Sequence, residues 1–530
     1  MKFQSIGHWI EHTAAHAPAD HGLVFAGVPT SFRALHKAVN FVAHWYRNRS
    51  LGRGDVVGLY LPNCPEIVQA HLAHMRLGAV TLPLNTAYRG AELAYILADA
   101  GAVAVVTDAD GAGVIQSVRG DLPRLRDVIV VEEEGVTHLE GALMFPVPQY
   151  TLMEDTPDEL PPLPIDPRVG PDDVAMILYT SGTTGRPKGA PLTHRNIMAN
   201  LAGVIEAWRI GMADRFLLTL PLFHAHGLIM GLHSALFAGC TTFVRRGFDA
   251  EEVLRELAEL RCTLFMGVPT HYFRFLRSTA LSALDLSSMR LFTCGSAPLD
   301  EVTWREFHKR TGHAIVERYG LSETLFNTTN PIDGPCVPGT VGVPFPGVEI
   351  RIANEQHQPL ATGEAGEIQV RGDNVFGGYL NRPEANAEAL RDGWFSTGDV
   401  GRIRPQDGYL EILGRIKDLI ITGGYNVYPV EVEAMLLAVP GVEEVAVVGK
   451  PSQEWGETVH AVIVPSPGAH LQAEDLTRLA KRALADYKCP RSFSFVQSLP
   501  RNAMGKVQKN VLRDELAPDR AHARRAGAAR

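Results

Sequence analysis

The stretch YTSGTTGRPKG, residues 179–189, decides how the rest of the chain is read. It follows the apolar run Val174 to Leu178, so a strand ends in a polar, glycine-rich loop. Gly182, Gly185 and Gly189 let backbone N–H groups turn toward a ligand, and successive N–H groups in such a loop form an anion-binding concavity. The hydroxyls of Thr180, Ser181, Thr183 and Thr184 and the ammonium of Lys188 add donors, which makes a triphosphate a fitting guest. An ordinary turn with one solvated lysine is the alternative. A Walker-type loop is disfavoured, because that motif sets lysine and a hydroxyl residue directly after its second glycine, and here Lys188 precedes Gly189.

Upstream of the loop, a helix is expected over 5–16. Strands at 56–61, 79–83, 103–107 and 128–131 then alternate with helices at 66–77, 91–100 and 113–118. That alternation implies parallel strands joined by helical crossovers and buried on both faces. The acidic, proline-rich segment 154–173 reads as a surface linker. Downstream, a helix over 192–208 precedes a strand at 216–220 that runs into LPLFHAHG. Strands at 264–268 and 291–294 lead into PTHYFRFLR, a helix start, and into Gly295, Ser296, Ala297 and Pro298. ERYGLSET, residues 317–324, ends one more apolar segment. Ligands collect at the carboxyl ends of such strands, so His224 and His226 are candidate site residues, with a metal pair or a satisfied structural histidine as alternatives.

From 345 to 414 the pattern changes to period two, including VEIRI, GEIQVRG and the VFGGYL run, which points to a small β subdomain, a distorted barrel. After Arg415 a compact α/β unit follows, with Gly423 and Gly424 in a turn, a helix from Pro429, strands at 444–448 and 460–464, and a helix at 473–484. The expected division is residues 1–416 as a large α/β domain containing the β subdomain, 417–516 as a small mobile lid, and 517–530 as a flexible basic tail.

The 530 residues suit several domains, and a net charge of −9 without a basic run in the folded part argues against nucleic acid as partner. The six cysteines are scattered, without the close pairs of a zinc site or disulfide framework. No apolar stretch is long enough to span a membrane, and the first residues do not look like a targeting peptide, so a cytoplasmic location is expected.

Taken in order, YTSGTTGRPKG, LPLFHAHG, GSAPL, ERYGLSET, STGD (396–399), GRIKD (414–418) and LPRNAMGK, ending at Lys506, make the chain resemble the adenylate-forming superfamily over nearly its whole length. That superfamily includes acyl-CoA synthetases, peptide-synthetase adenylation domains and beetle luciferases. The resemblance implies two half-reactions. A carboxylate attacks the α-phosphorus of ATP to give acyl-AMP and pyrophosphate, and the thiol of coenzyme A then displaces AMP. It implies that Lys506 bridges the carboxylate and the α-phosphate, that Glu323 holds Mg²⁺ with Thr180 nearby, and that Ser181 to Gly185 and Lys188 cradle phosphates. Tyr319 and Gly320 would lie at the adenine, with backbone groups of Gly295 to Pro298 on its other face, and Asp399 and Arg415 at the ribose. Ser322 stands where the superfamily usually has threonine, a change that keeps the hydroxyl. The resemblance also implies a lid that pivots at Lys417, withdrawing Lys506 and bringing Gly423 and Gly424 to the thiol channel.

For the acid, VPTHYFRFL and RYGLSETLFNTTNP closely resemble malonyl-CoA synthetases, in which an arginine at the position of Arg274 pairs with the distal carboxylate near the histidine at His224. Malonate is therefore the expected substrate and methylmalonate the second. A short- or medium-chain fatty acid or aryl acid ligase is the alternative, and Arg274 facing solvent would favour it. A non-catalytic nucleotide-binding protein would lack Lys506, Glu323 or Asp399, and all three are present.

Overall fold

The computed structural model describes residues 3–17, 21–131, 142–146, 161, 163–180, 186–501 and 506–516. Four sheets organise them. The first has seven strands, in the order Leu143–Met144, Asp127–Val130, Ala104–Thr107, Val56–Tyr60, Val80–Pro83, Val174–Thr180 and Lys188–Thr193. All of its pairings are parallel except the last. Its central strands are apolar and buried along their length, as a sheet covered by helices on both faces requires. The strands on either side of the polar loop thus pair antiparallel, with Thr180 opposite Lys188. The chain returns as a strand through Thr193 before its helix, rather than entering a helix at 192. Thr193 then caps helix His194–Trp208 in a reciprocal box with Asn196.

The second sheet has nine strands, and its parallel centre runs through Arg215–Leu218, Leu264–Gly267, Leu291–Cys294 and Ile315–Leu321. Strand His21–Phe25 joins this sheet beside Thr241–Val244, far away in sequence. Helix Pro65–Leu77 has every residue from Ile67 to Leu77 buried, because it lies in a core shared by strands of both sheets. Each large aliphatic side chain enclosed there contributes about 1.5–3 kcal/mol. Segment 226–233 packs in the same core as a π-helix, a winding that often marks functional sites.

The third sheet is antiparallel and open rather than a barrel: Val348–Ala353, Gly366–Gly372 and Trp394–Ile403 lie side by side, and Leu390–Arg391 and Leu410–Arg415 share the last strand's outer edge. VFGGYL is not a strand; Gly378 in it has φ +127°, which turns the chain. The fourth sheet pairs Val442–Ser452 with Gly456–Pro465, carries helices Pro429–Leu437 and Ala473–Ala483, and has its own apolar core. The expected linker is described only from 161 onward. That part is not purely surface, since Leu163 and Val169 are buried and Asn40 clamps Pro161 and Leu163 by hydrogen bonds. The tail 517–530 lies outside the described residues.

Candidate active site

Strand ends and hairpin tips of three sheets converge with the fourth unit's Lys506. Strand Ile315–Leu321 turns back as Leu325–Thr329 in a hairpin with a bulge at Tyr319 and Gly320. A Cβ on Gly320 would lie 1.9 Å from the Leu325 carbonyl oxygen, so only glycine closes this turn. The tip carries Ser322 and Glu323. Glu323 is buried, and Tyr379 Oη donates to its Oε1 at 2.8 Å. Burial raises its pKa. Lys188, on the returning strand of the polar loop, sits with Nζ 4.9 Å from the centre of the Tyr379 ring. Thr180 lies at the base of that hairpin, whereas Ser181, Gly182, Thr183, Thr184 and Gly185 lie outside the described residues.

On the other side of the hairpin, Tyr319 Oη donates to Asp399 Oδ2 at 2.7 Å and Arg415 Nε lies 3.0 Å from Asp399 Oδ1. Asp399 and Arg415 are partners on paired strands of the third sheet, so ladder register brings them together. Lys506 and Lys417 lie within electrostatic reach of Arg415, Asp399 and each other. Burial, with Arg415 adding to it, pushes each ammonium down to about 8. Arg513 donates to the Lys417 carbonyl at 2.8 Å and pairs with Asp418. The Gly423–Gly424 turn is a two-residue hairpin with φ +58° and +83°, exposed, with the Trp455 ring packed over Gly423.

A third group joins the expected His224, His226, Gly295 and Ser296 to Arg318 and His271, which sequence reasoning did not single out. Asn63 ties LPLFHAHG to the first sheet, donating to the carbonyls of Leu220 and Arg245 and accepting from Leu222 N. Gly227 passes so close to Pro221 that a Cβ would lie 2.2 Å from its carbonyl oxygen. His224 is half-buried, and burial pushes its imidazole down to about 4. His226 Nδ1 meets Ser296 Oγ at 3.2 Å, Ser296 itself having φ +69°, and Arg318 Nη2 donates to the same oxygen at 3.3 Å. Arg318 is 5% exposed and stacks 3.9 Å from the Phe326 ring centre over Gly295, where a Cβ would strike the guanidinium. Burial pushes it down to about 9, and among the described residues no carboxylate pairs with it. Glu317, next in sequence, faces the other side of the strand, accepts from Gly339 N, and is itself pushed up to about 8 by burial.

Among the described residues, His226 Nε2, His271 Nδ1 and Arg318 Nε are buried without a hydrogen-bond partner. Burial keeps both imidazoles neutral, and Arg318, His271 and His224 add to the effect on His226, so the three histidines and Arg318 share one neighbourhood. Arg274, one helical turn beyond His271 on helix Pro269–Arg277, is exposed and lines a surface depression with Asp249, Glu251 and Arg277. The sequence signal for Arg318 is a charge inside a strand buried on both faces.

The polar groups at these strand ends lie within reach of a lysine from a separate small unit. Residues 10–380 match the AMP-binding enzyme family and residues 431–506 the AMP-binding enzyme C-terminal domain. The chain is 36% identical to a feruloyl-CoA synthase of Amycolatopsis sp over 97% of its length and 99% of that protein's. It is 35% identical to an indoleacetate–CoA ligase of Aromatoleum aromaticum, covering 97% of this chain and 98% of the relative. Among solved structures, ATP-bound MatB from Rhodopseudomonas palustris superposes with a TM-score of 0.86 at 38% identity, covering 96% of this chain and 98% of that one.

The chain belongs to the AMP-binding enzyme family. It is an AMP-forming acyl-CoA synthetase that joins a carboxylic acid to coenzyme A through an acyl-adenylate, using ATP and Mg²⁺. No helix among the described residues is long and apolar enough to cross a membrane.

Proposed function

We propose that the acid is a small dicarboxylate, malonate first and methylmalonate second, and that Arg318 receives its distal carboxylate. The observation that carries this reading is the trio of orphaned buried atoms, His226 Nε2, His271 Nδ1 and Arg318 Nε, beside a guanidinium with no described carboxylate partner. Buried polar groups are otherwise satisfied, so such a cluster calls for a polar, anionic guest. A charge-assisted bidentate pair there is worth about 1.5–3 kcal/mol and is forfeited by a monocarboxylate. The resemblance of VPTHYFRFL and RYGLSETLFNTTNP to malonyl-CoA synthetases supports the same acid. Exposed Arg274 is assigned the outer position, drawing a dianion toward His224 and His271 by its field.

For adenylation, Lys506 supplies a cation between two anions that repel each other, the acid carboxylate and the α-phosphate, and it stabilises the charge that builds between them. Asp399 and Arg415 hold the ribose, Tyr319 and the Gly295 to Pro298 backbone the adenine, and Thr180 to Gly185 with Lys188 the phosphates. Ser322 contributes its hydroxyl to a phosphate oxygen. Among the described residues no three acidic, histidine or cysteine side chains gather as a complete cation cage. Glu323 alone, with Thr180, fits Mg²⁺, which keeps waters and takes substrate phosphates beside one or two carboxylates. Bound there, Mg²⁺ would neutralise the charge of the departing pyrophosphate.

Lys506 lies by Asp399 while the Gly423–Gly424 turn is exposed, an arrangement that suits the first half-reaction. Rotation of the lid at Lys417 then exchanges Lys506 for that turn, since phosphates and thiol use the same space at different times. A cytoplasmic location belongs to the same reading, supported by six unpaired thiols. The exposure of Arg274, together with Phe326 against Arg318 and Phe248 stacked on His271 at 3.9 Å, favours a second reading, an aryl acid. Turnover of malonate, methylmalonate, butyrate and ferulate by the purified protein with ATP, Mg²⁺ and coenzyme A separates the two. Malonate is expected to lead, and equal turnover of butyrate and malonate would sink the dicarboxylate reading.

A further inference from the structure

A cluster outside the reacting groups binds both ends of the polar loop. Asp99, on helix Gly90–Ala100, accepts from Tyr179 Oη on Oδ2 at 2.8 Å and from Arg382 Nη2 on Oδ1 at 3.1 Å. Arg382 Nη2 also donates to Tyr95 Oη at 2.6 Å, and Tyr95 Oη donates to the Pro187 carbonyl at 2.9 Å. Tyr179 and Pro187 are the residues at which the chain goes into and comes out of the loop. The Tyr179 ring crosses Gly189, where a Cβ would lie 3.0 Å from Cζ, so this glycine opens the path to Asp99.

The same cluster fixes the segment that reaches Glu323. Asn381 Nδ2 donates to the Asp99 carbonyl at 3.4 Å and Leu380 N to the Gly189 carbonyl at 2.8 Å. Tyr379 is thereby held with its hydroxyl on Glu323 and its ring under Lys188. Asp99 is 12% exposed in its pair with Arg382, so this is not a solvated surface bridge.

We propose that Asp99, with Tyr95 and Arg382, is a positioning cluster that sets the pyrophosphate side of the adenylation site: it fixes the two ends of the loop and, through Tyr379, the carboxylate of Glu323. The proposal rests on reading residues 179–189 as the phosphate loop. None of the three side chains needs to touch substrate. Small displacements of groups that hold a reacting phosphate are costly, which gives the cluster its effect.

In the intact protein, Asp99→Asn is expected to raise KM for pyrophosphate and MgATP in pyrophosphate–ATP exchange about tenfold, while thioester formation from supplied acyl-adenylate stays unchanged. Tyr179→Phe, which leaves the Asp99–Arg382 pair intact, should raise both about two- to threefold, and Arg382→Lys should recover most of what Arg382→Ala loses. An unchanged pyrophosphate KM in Asp99→Asn overturns the proposal, as does an equal fall in both half-reactions, which marks a merely structural part. Lys188→Ala separates the two levels. If it too leaves pyrophosphate KM unchanged, the phosphate-loop reading falls; if it raises KM while Asp99→Asn does not, only the cluster falls. Should Asp99→Asn fail to fold, Tyr95→Phe, which removes the hydroxyl bonded to both Pro187 and Arg382, decides by the same readout.

Discussion

The two halves of the site differ in how their polar groups are satisfied. On the proposed nucleotide side each charge already has a neighbour: Asp399 holds Tyr319 and Arg415, and Glu323 holds Tyr379, whose ring faces Lys188. On the proposed acid side, Arg318, His226 and His271 keep buried atoms with no partner among the described residues. A ligand common to a whole family can be met by a preorganised, self-consistent frame. A ligand that distinguishes one member is met by groups left waiting for it. Burial without a partner costs about 1–3 kcal/mol for each such group, a cost that the right acid removes and the wrong acid leaves in place.

Breaking the nucleotide side should have the largest effect. Lys506→Ala is expected to lower acyl-adenylate formation by about 10²–10³, the usual scale for removing one transition-state charge partner, with thioester formation from supplied acyl-adenylate largely spared. Pyrophosphate–ATP exchange and a thiolation assay read the two halves, and a common fall in both would contradict the lid exchange. Next in size is pH. Because burial lowers Lys506 to about 8, it is charged below that value and neutral above it. The kcat/KM for MgATP should therefore be level below pH 8 and fall by about tenfold per unit above it. Lys417 titrates in the same range, so the falling limb should persist in Lys417→Arg. The smallest effect is expected on the acid side's exposed rim: Arg274→Ala should lower kcat/KM for malonate only about threefold, and less at high salt, as fits steering by an exposed charge.

Much of the first sheet was legible as alternating apolar runs and helical patterns, since strands covered on both faces and the helices between them each leave a periodic trace. The strand Lys188–Thr193 was not, because KGAPLT carries a glycine and a proline that argue against a strand. The place of His21–Phe25 was hidden because its partner lies more than two hundred residues away and local periodicity says nothing of it. VFGGYL misled in the other direction: its apolar residues fall in a segment that bends and bonds to the phosphate hairpin through Leu380. In the candidate site, motifs singled out Glu323, Asp399, Arg415 and Lys506 as candidates but gave no sign of how their side chains are satisfied. ERYGLSET contains Arg318, yet only the fold shows that its neighbours among the described residues supply no carboxylate. Nor does the sequence report exposure: Arg274, expected at the distal carboxylate, is exposed on helix Pro269–Arg277.

The claim that an unpartnered buried cation selects the acid is tested most directly by Arg318→Met, with kcat/KM measured for malonate and butyrate under identical ATP, Mg²⁺ and coenzyme A. The account predicts that the malonate-to-butyrate ratio falls at least about tenfold, mostly through loss of malonate turnover, consistent with a charge-assisted pair of about 1.5–3 kcal/mol. A ratio unchanged while both acids slow together would contradict it.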